Sequence, residues 1–324
     1  MNANSFGSRF VINTFGESHG VALGVVIDGC PAGLDFDLEF LTKEMERRRP
    51  GVYSQEQIVV SARKELDSPE ILSGVFEGKT LGTPIAILVR NQDQRSEDYE
   101  KTKDAPRIGH ADDVWKCKFG HADYRGGGRS SGRETLCRVL GGAVAKMLIR
   151  KISPATIIEG YVSQVGNHKL ASAIELQSIK EVLSDAQKKG ESLGGEVTIR
   201  IQKPIPNLGQ PVFHKLKSDL AAAMMSVGAA TGFEIGAGFD VIEQAGTAFH
   251  KNKNAEVYGG IRGGISTGED IVLRIAMKPT SSILDVAKQG RHDPCIAIRA
   301  VPVFESMAAL VIADHLLWMK QDRA

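Results

Sequence analysis

The feature of the sequence that most constrains the fold is a weak internal repeat between two stretches of sixteen residues. GVFEGKTLGTPIAILV at 74–89 aligns without gaps to GIRGGISTGEDIVLRI at 260–275, and all three glycines of the first stretch recur in the second. Alternating apolar residues close both stretches, as is typical of a strand with one buried face. The pattern indicates an internal repeat, with chance similarity between glycine-punctuated strands as the alternative interpretation.

A looser similarity extends this repeat. The strand, P-A-G turn and helix that begin at residue 21 resemble GGEVTIRIQKPIPNLGQPVFHKLKSDLAAAMM at 194–225. No Pro/Ser-rich linker divides the chain. We therefore predict one domain over residues 1–324, with an internal duplication at about 21–150 and 194–315.

Hydrophobic periodicity predicts three elements directly. VALGVVID at 21–28 reads as a buried strand that ends at the turn GCPAG. Residues 133–150 give the strongest helix, with apolar residues at i, i+3, i+4 and i+7. Residues 35–51 predict a helix with early acids, late arginines and one apolar face formed by Leu38, Leu41 and Met45. The alternation of strands and helices favours a mixed α+β fold.

The composition narrows the class of protein. The 324 residues are 42% hydrophobic and 24% charged, and the net charge is +1. That is an ordinary globular composition, without the basic excess of a dedicated nucleic-acid binder. The four cysteines are widely spaced, so neither a metal site nor a disulfide framework is predicted and a reducing cytoplasm is the expected location. No apolar run long enough to cross a membrane is found, and no signal peptide is evident.

YRGGGRSSGRET at 124–135 points to an anion site. Three glycines let the backbone approach a ligand closely, and the strong helix begins directly afterwards. Ser131 and Glu134 have the spacing of a capping box, and Arg129 and Arg133 add positive charge. The alternative is a well-capped helix with solvated arginines. The stretch lacks the spacing of a P-loop.

Two glycine-flanked histidines suggest proton transfer. His19 lies in TFGESHG and His110 in IGHAD. Imidazole has the pKa suited to general acid–base work near neutral pH, although a single histidine is more often structural. A third cluster, KPTSSILDVAKQGRHDPC at 278–295, adds a lysine, hydroxyls and Asp293. Residues 91–109 have little apolar periodicity and predict a polar loop that could serve as a lid. These residues indicate a phosphate site with several arginines and two histidines.

Taken together, the motifs resemble those of one family. GESHG (16–20), YRGGGRSSGRET (124–135) and GRHDPC (290–295) are similar in order and separation to the three signatures of the chorismate synthases, and NQDQRSEDY, GFEIGAGFD and KPTSS also match. The resemblance implies a β-α-β sandwich with helices between antiparallel sheets, in a homotetramer. It implies a lyase that converts 5-enolpyruvylshikimate 3-phosphate to chorismate and phosphate by anti 1,4-elimination. Reduced FMN is the implied cofactor, and whether NADPH serves as its reductant is left open.

The resemblance also implies residue roles. His110 would protonate the departing phosphate, His19 beside Ser18 would interact with the reduced flavin, and Asp293 would act with the flavin in removing the ring proton. Ser131 would assist in proton handling, and Arg48 would bind a phosphate of the substrate or of NADPH. The implied cofactor-binding residues are Arg129, Ser130, Ser131, Gly228, Ala229, Gly263, Lys278, Pro279, Thr280, Ser281, Ser282 and Arg291.

A second hypothesis belongs to a different class. The arginines of YRGGGRSSGR and of MERRRPG also suit a non-enzymatic protein that binds a polyanion or RNA. Aromatic residues make up only 6% of the chain, however, and interleaved aromatics are expected for single-stranded nucleic-acid binding. We therefore expect a phosphorylated small molecule as the partner, with no nucleic acid and no membrane.

Overall fold

The computed structural model describes residues 3–49, 67–91, 107, 109–172, 178–252, 255–281, 283–284 and 293–322, and all structural statements concern these residues. Short 3-10 turns at Arg125–Ser130 and Gly132–Glu134 precede the third helix. The α-helices of the described chain are α1 (Leu38–Arg48), α2 (Asp112–Phe119), α3 (Thr135–Ile152), α4 (Lys180–Lys189), α5 (Leu216–Met225), α6 (Gly246–His250) and α7 (Ala297–Met319).

The strands form two antiparallel five-stranded sheets and two short hairpins. The strands are β1 (Ser5–Phe6), β2 (Val11–Phe15), β3 (Ala22–Asp28), β4 (Glu70–Ser73), β5 (Val75–Phe76), β6 (Lys79–Thr80), β7 (Ile85–Arg90), β8 (Ile157–Val165), β9 (His168–Lys169), β10 (Gly195–Gln202), β11 (Ala230–Ile235), β12 (Ile261–Arg262), β13 (Ile265–Ser266) and β14 (Ile271–Met277). The first sheet has the order β1-β2-β3-β7-β4 and the second β11-β14-β10-β8-β9. Strand β5 pairs with β6, and β12 pairs with β13.

Helices α3 and α7 pack between the two sheets. Helix α3 contacts β2 and β3 of the first sheet, and α7 contacts β8 and β10 of the second. The two helices also pack against each other, so apolar faces from both sheets and both helices share one core. This arrangement confirms the α+β class and the sandwich with helices between antiparallel sheets.

The two halves of the chain use the same local construction. In each half a short hairpin precedes, in the chain, a strand that is second from the edge of its five-stranded sheet: β5 and β6 precede β7, and β12 and β13 precede β14. Thr80 Oγ1 accepts a hydrogen bond from the Leu34 amide at 3.0 Å, and Ser266 Oγ accepts one from the Leu208 amide at 2.9 Å. The alignment of 74–89 with 260–275 pairs this threonine with this serine. These correspondences support the proposal of an internal duplication.

The three elements predicted from periodicity are present. Strand β3 lies within 21–28, and α3 covers most of 133–150 with its predicted apolar face buried. Helix α1 begins after Asp37, whose carboxylate accepts from the Phe40 amide as an N-cap. On the predicted apolar face, Leu41 and Met45 are buried, whereas Leu38 in the first turn is 50% exposed.

Helix α7 combines unusual length with an apolar composition. Among the described residues it is the helix that could span a membrane by length and hydropathy, but 94% of its most apolar window is buried inside the protein. Its position between the second sheet and α3 accounts for that composition. The helix also contains Pro302, and its N-terminal end opens toward the site described below.

Candidate active site

A cavity of about 670 Å³ lies where α3 and α7 begin. Its wall includes Gly126 and Ser130–Thr135 on the α3 side, and Asp293, Ile296 and Arg299 on the α7 side. Unpaired amides at a helix N-terminus favour negative charge, and two such ends contribute to this wall.

The glycine run positions both predicted histidines. Gly126, Gly127 and Gly128 have φ values of +61°, +84° and +53°, a region that L-residues with side chains rarely occupy. A Cβ at Gly126 would lie 2.1 Å from His19 Nδ1, and one at Gly127 would lie 2.8 Å from His110 Cε1. The two imidazoles therefore pack against consecutive glycines. His110 lines the cavity, whereas His19 lies behind Gly126.

A polar network holds the His19 loop in place. The Ser18 amide donates to the Gly128 carbonyl at 3.3 Å, which ties the loop to the glycine run. Asn91 Nδ2 donates to the Gly20 carbonyl at 2.7 Å, and Asn91 Oδ1 accepts from Arg133 Nε at 2.7 Å. Ser18 is buried and lines the cavity. The loop and the start of α3 thus form one connected unit.

The arginines beside the glycine run also support the structure. Arg129 donates to the Gly16 carbonyl at 3.1 Å and to Thr14 Oγ1 at 2.6 Å. Arg133 Nη2 donates to Asp67 Oδ1 at 2.9 Å, and Arg48 Nη1 lies 3.7 Å from Asp67 Oδ2. Arg129, Arg133 and Arg48 all line the cavity, so they combine a structural role with a cationic wall.

The prediction of a capping box at Ser131 and Glu134 was only partly correct. Ser131 Oγ accepts from the Arg133 amide at 3.4 Å and caps the short 3-10 turn before α3. The Glu134 carboxylate does not bond the Ser131 amide, because it accepts instead from Arg138 Nε, one turn later, at 3.0 and 3.1 Å. Arg138 also donates to Ser226 Oγ at 2.6 Å, which connects α3 to the end of α5.

His110 belongs to a charged trio. Its Nδ1 lies 2.6 Å from Asp112 Oδ1, and Arg107 Nη2 lies 3.0 and 3.1 Å from the two ring nitrogens. Arg107 also makes a two-point ion pair with Asp112 at 2.9 and 3.0 Å. Burial and the Arg107 charge lower the pKa of His110 and outweigh the opposing effect of Asp112. An anion that neutralised this positive environment would raise that pKa.

The second half of the chain contributes the opposite wall. The Lys278 amide donates to the Ala229 carbonyl at 2.9 Å, and Lys278 Nζ donates to the Gly109 carbonyl at 3.2 Å. Asp293 Oδ2 accepts from Arg299 Nη1 at 2.6 Å. Asp293 Oδ1 and Thr280 Oγ1 are buried and have no hydrogen-bond partner within the described part of the chain. Both residues line the cavity and could satisfy those atoms with a ligand.

The charge of the cavity wall differs from that of the whole chain. Among the described residues, seven cationic side chains line it against two carboxylates: Arg48, Arg107, Arg129, Arg133, Arg138, Lys278 and Arg299 against Glu134 and Asp293. The chain as a whole has a net charge of only +1. A concave site of this volume with concentrated positive charge suits a multiply anionic small molecule.

Most of the predicted site residues come together here. The predicted residues that line the cavity are Ser18, Arg48, His110, Arg129, Ser130, Ser131, Gly228, Ala229, Lys278, Pro279, Thr280, Ser281 and Asp293. Gly263 is not part of this wall; it lies in the turn between β12 and β13, where its carbonyl accepts from Lys215 Nζ at 3.4 Å. Ser282, Arg291 and most of the predicted polar loop at 91–109 lie outside the described residues.

Several residues of the site were missed by sequence reasoning. Asp67 pairs with Arg133 across 66 positions of the chain, so no local spacing indicates it. Arg138 and Arg299 lie only four and six positions from Glu134 and Asp293, so the short charge spacing was a usable signal for them. Arg107 and Asp112 flank His110 closely in sequence. Their short distance in sequence from the candidate acid His110 could have predicted that they belong to the site.

The fold and the cavity define an enzyme that acts on an anionic small molecule. The family model described as chorismate synthase matches residues 10–317. A protein of Bdellovibrio bacteriovorus named chorismate synthase is 59% identical over 342 aligned positions, covering all of both chains. A solved structure titled "Crystal Structure of Chorismate Synthase" superposes with a TM-score of 0.77 at 28% identity, over 97% of this chain and 93% of that chain.

The chain belongs to the chorismate synthase family. It is a lyase of the shikimate pathway, and its family uses a flavin cofactor. No feature of the described residues favours the alternative of a polyanion-binding protein without enzymatic activity.

Proposed function

We propose that the cavity binds reduced FMN together with 5-enolpyruvylshikimate 3-phosphate and releases chorismate and inorganic phosphate. In this reaction one C–O bond to phosphate and one ring C–H bond break, and a new C=C bond forms. The proposal depends most on the wall, where the described residues place seven cations and two carboxylates beside His110. The departing phosphate gains negative charge, and a preorganised cationic wall stabilises that charge.

His110 is the proposed proton donor to the phosphate. The imidazole packs on Gly127 and lines the cavity, within reach of a bound anion. Without a ligand its pKa lies below the ordinary value because of burial and Arg107. A bound phosphate raises that pKa, so the group becomes an acid when substrate arrives. Since the acid form is needed, we expect kcat to fall as the pH rises through the pKa of the complex.

The residues present fit a flavin. Reduced FMN, when bound, supplies transient electron density to the substrate without net redox change. The glycine run, whose added Cβ atoms would collide with both histidines, keeps the wall beside them open. Thr280 Oγ1 and Asp293 Oδ1 provide buried polar atoms for ligand groups. We propose that Arg129, Ser130 and the 278–281 segment hold the cofactor, and that Arg48 binds substrate phosphate.

Asp293 is the proposed acceptor of the ring proton. Arg299 donates to one carboxylate oxygen, and the other oxygen has no partner among the described residues. His19 and Ser18 are proposed to govern protonation beside the flavin, and Ser131 to assist proton handling. Burial of Ser18 and the close contact of His19 with Gly126 support this assignment.

Phosphate release under anaerobic conditions tests the function. Pure protein with photoreduced FMN and the enolpyruvyl phosphate is expected to form chorismate and phosphate in equal amounts. His110→Ala should reduce kcat by about a hundredfold or more while flavin binding is retained, because general-acid help is typically of that size. Normal turnover by this variant would show that the proton role is assigned to the wrong residue.

Three further proposals concern the enzyme's surroundings. We propose that the protein is a cytoplasmic homotetramer that binds no nucleic acid. Sedimentation velocity of the pure protein tests the tetramer. We propose that NADPH can reduce the bound flavin; replacing light by NADPH in the anaerobic assay should then sustain turnover, and absence of turnover would assign reduction to an external source.

A further inference from the structure

We propose that Asp112 is a positioning residue that fixes the tautomer and orientation of His110, so that Nε2 is the atom that delivers the proton. The inference deepens the proposed function and rests on it, since it concerns the acid that protonates phosphate. Asp112 does not line the cavity and would act entirely through the histidine.

The geometry places one carboxylate oxygen on one ring nitrogen. Asp112 Oδ1 lies 2.6 Å from His110 Nδ1, and both side chains are largely buried. Asp112 is the first residue of α2, which fixes its backbone only two residues after His110. A carboxylate at this distance accepts the Nδ1 proton in both the neutral and the charged imidazole. Nε2 is then the nitrogen that gains and loses a proton, as in other carboxylate–histidine pairs.

The charges around His110 favour orientation over a simple increase in basicity. The described groups that face the ring are Arg107, Asp112, Lys278 and the backbone of Gly127. Arg107 occupies both oxygens of Asp112, so the negative charge that His110 experiences is largely balanced. The net effect on the pKa of His110 is downward. Asp112 therefore acts mainly through its hydrogen bond.

The proton balance of the step is simple. The Nε2–H bond breaks and an O–H bond forms on the departing phosphate, which leaves a neutral imidazole. Its remaining proton stays on Nδ1, bound to Asp112 Oδ1. Solvent then restores the Nε2 proton after phosphate leaves. A tautomer with the proton on Nε2 and none on Nδ1 would point a lone pair at Asp112, which the carboxylate disfavours.

A double-mutant comparison separates positioning from general damage. We would measure anaerobic kcat for Asp112→Asn in two backgrounds, the wild type and His110→Asn. In the wild type, loss should be roughly tenfold to a hundredfold, the usual size for a residue that orients a functional histidine. In the His110→Asn background the same change should have less than about a twofold effect, because residues that act as a unit are not additive. An equal loss in both backgrounds would overturn the proposal.

The pH profile gives an independent readout. Asp112→Asn removes an influence that raises the pKa of His110, so the alkaline decline of kcat should move to lower pH, with KM little changed. Asp113→Asn is the matched control, because Asp113 is exposed in the same turn and, among the described residues, its carboxylate accepts a hydrogen bond only from the Val114 amide. An unshifted profile for Asp112→Asn, or the same shift in both variants, would overturn the proposal. Full activity of His110→Asn alone would instead refute the role of His110 as the acid, and absence of chorismate formation by the wild type would refute the proposed function.

Discussion

Two clusters of charged side chains in this molecule differ in their balance of cations and carboxylates. In the core, Glu305 of α7 accepts from Arg47 at 2.6 and 2.7 Å, from Lys146 at 2.9 Å and from the Gly160 amide at 2.9 Å. Lys146 also pairs with Glu44, so two cations meet two carboxylates. The cavity wall has seven cations and two carboxylates. Adding Asp67 and Asp112, which lie behind the wall, still leaves three more cations than carboxylates there.

The difference separates a structural role from a binding role. A buried charge without compensation is costly, so a cluster that only joins helices must be balanced by its own residues. A cluster that binds an anion can leave part of its balance to the ligand. The excess of positive charge among the described residues therefore supports the proposal that phosphate is bound and released in the cavity and not at the core cluster.

Glu305→Gln should have the largest effect on stability. The substitution leaves the buried Lys146 and the partly buried Arg47 with one carboxylate between them, and breaking a buried pair typically costs about 3–5 kcal/mol. Urea unfolding followed by circular dichroism measures the change in unfolding free energy. Glu39→Gln is the control, because the Glu39–Lys43 pair is exposed and should be dispensable. Equal stability of the two variants would contradict the structural role of the core cluster.

Because Glu305 is ionised in the folded protein, we also expect the unfolding free energy to depend on pH. Burial raises the pKa of Glu305, but Lys146 and Arg47 outweigh it and hold the pKa below the ordinary value. A carboxylate whose folded-state pKa is depressed stabilises the fold at every pH above its unfolded pKa of about 4.3. That stabilisation is lost as the pH falls through the folded-state pKa. The stability difference between wild type and Glu305→Gln should therefore be full at neutral pH and shrink in acid. A difference that stays constant into acid would show that ionisation is irrelevant.

Gly126→Ala should damage the cavity more than an equivalent change elsewhere. The substitution strains a φ of +61°, typically by about 1–3 kcal/mol, and its Cβ would lie 2.1 Å from His19 Nδ1. Gly263→Ala has a similar φ of +63° and nothing within 4 Å. We expect a loss of tenfold or more in kcat and weaker flavin binding only for Gly126→Ala, measured by flavin fluorescence and turnover. If the two variants lost flavin affinity equally, Gly263 would also contribute to the flavin site.

Lys278→Gln should have a smaller effect that is confined to binding. This lysine lines the cavity, and its ammonium lies near His110 and the Gly109 carbonyl. Loss of one cation should raise the KM for the phosphorylated substrate about tenfold, or roughly 1.4 kcal/mol, with little change in unfolding free energy. Lys43→Gln, on the exposed side of α1, is the control. Steady-state kinetics at low and moderate salt measure this KM. An unchanged KM would contradict a role of Lys278 in binding the phosphorylated substrate.

Local patterns predicted the scaffold well and the site in part. The repeated glycines mark the two hairpin-plus-strand units, and the strong periodicity of 133–150 corresponds to α3, because these signals depend on neighbouring residues. The capping box failed at Glu134, since Arg138 competes for its carboxylate. The pairing of Asp67 with Arg133 joins residues far apart in the chain and depends on tertiary packing. Motif resemblance supplied the catalytic candidates that spacing alone left ambiguous.

A crystal structure with reduced FMN and the enolpyruvyl phosphate tests the central claim most directly. The claim is that the excess positive charge beside the glycine run binds the phosphate next to His110. The account predicts both ligands in this cavity, with a phosphate oxygen within about 3 Å of His110 Nε2. A phosphate bound away from His110 and the arginine wall would contradict it.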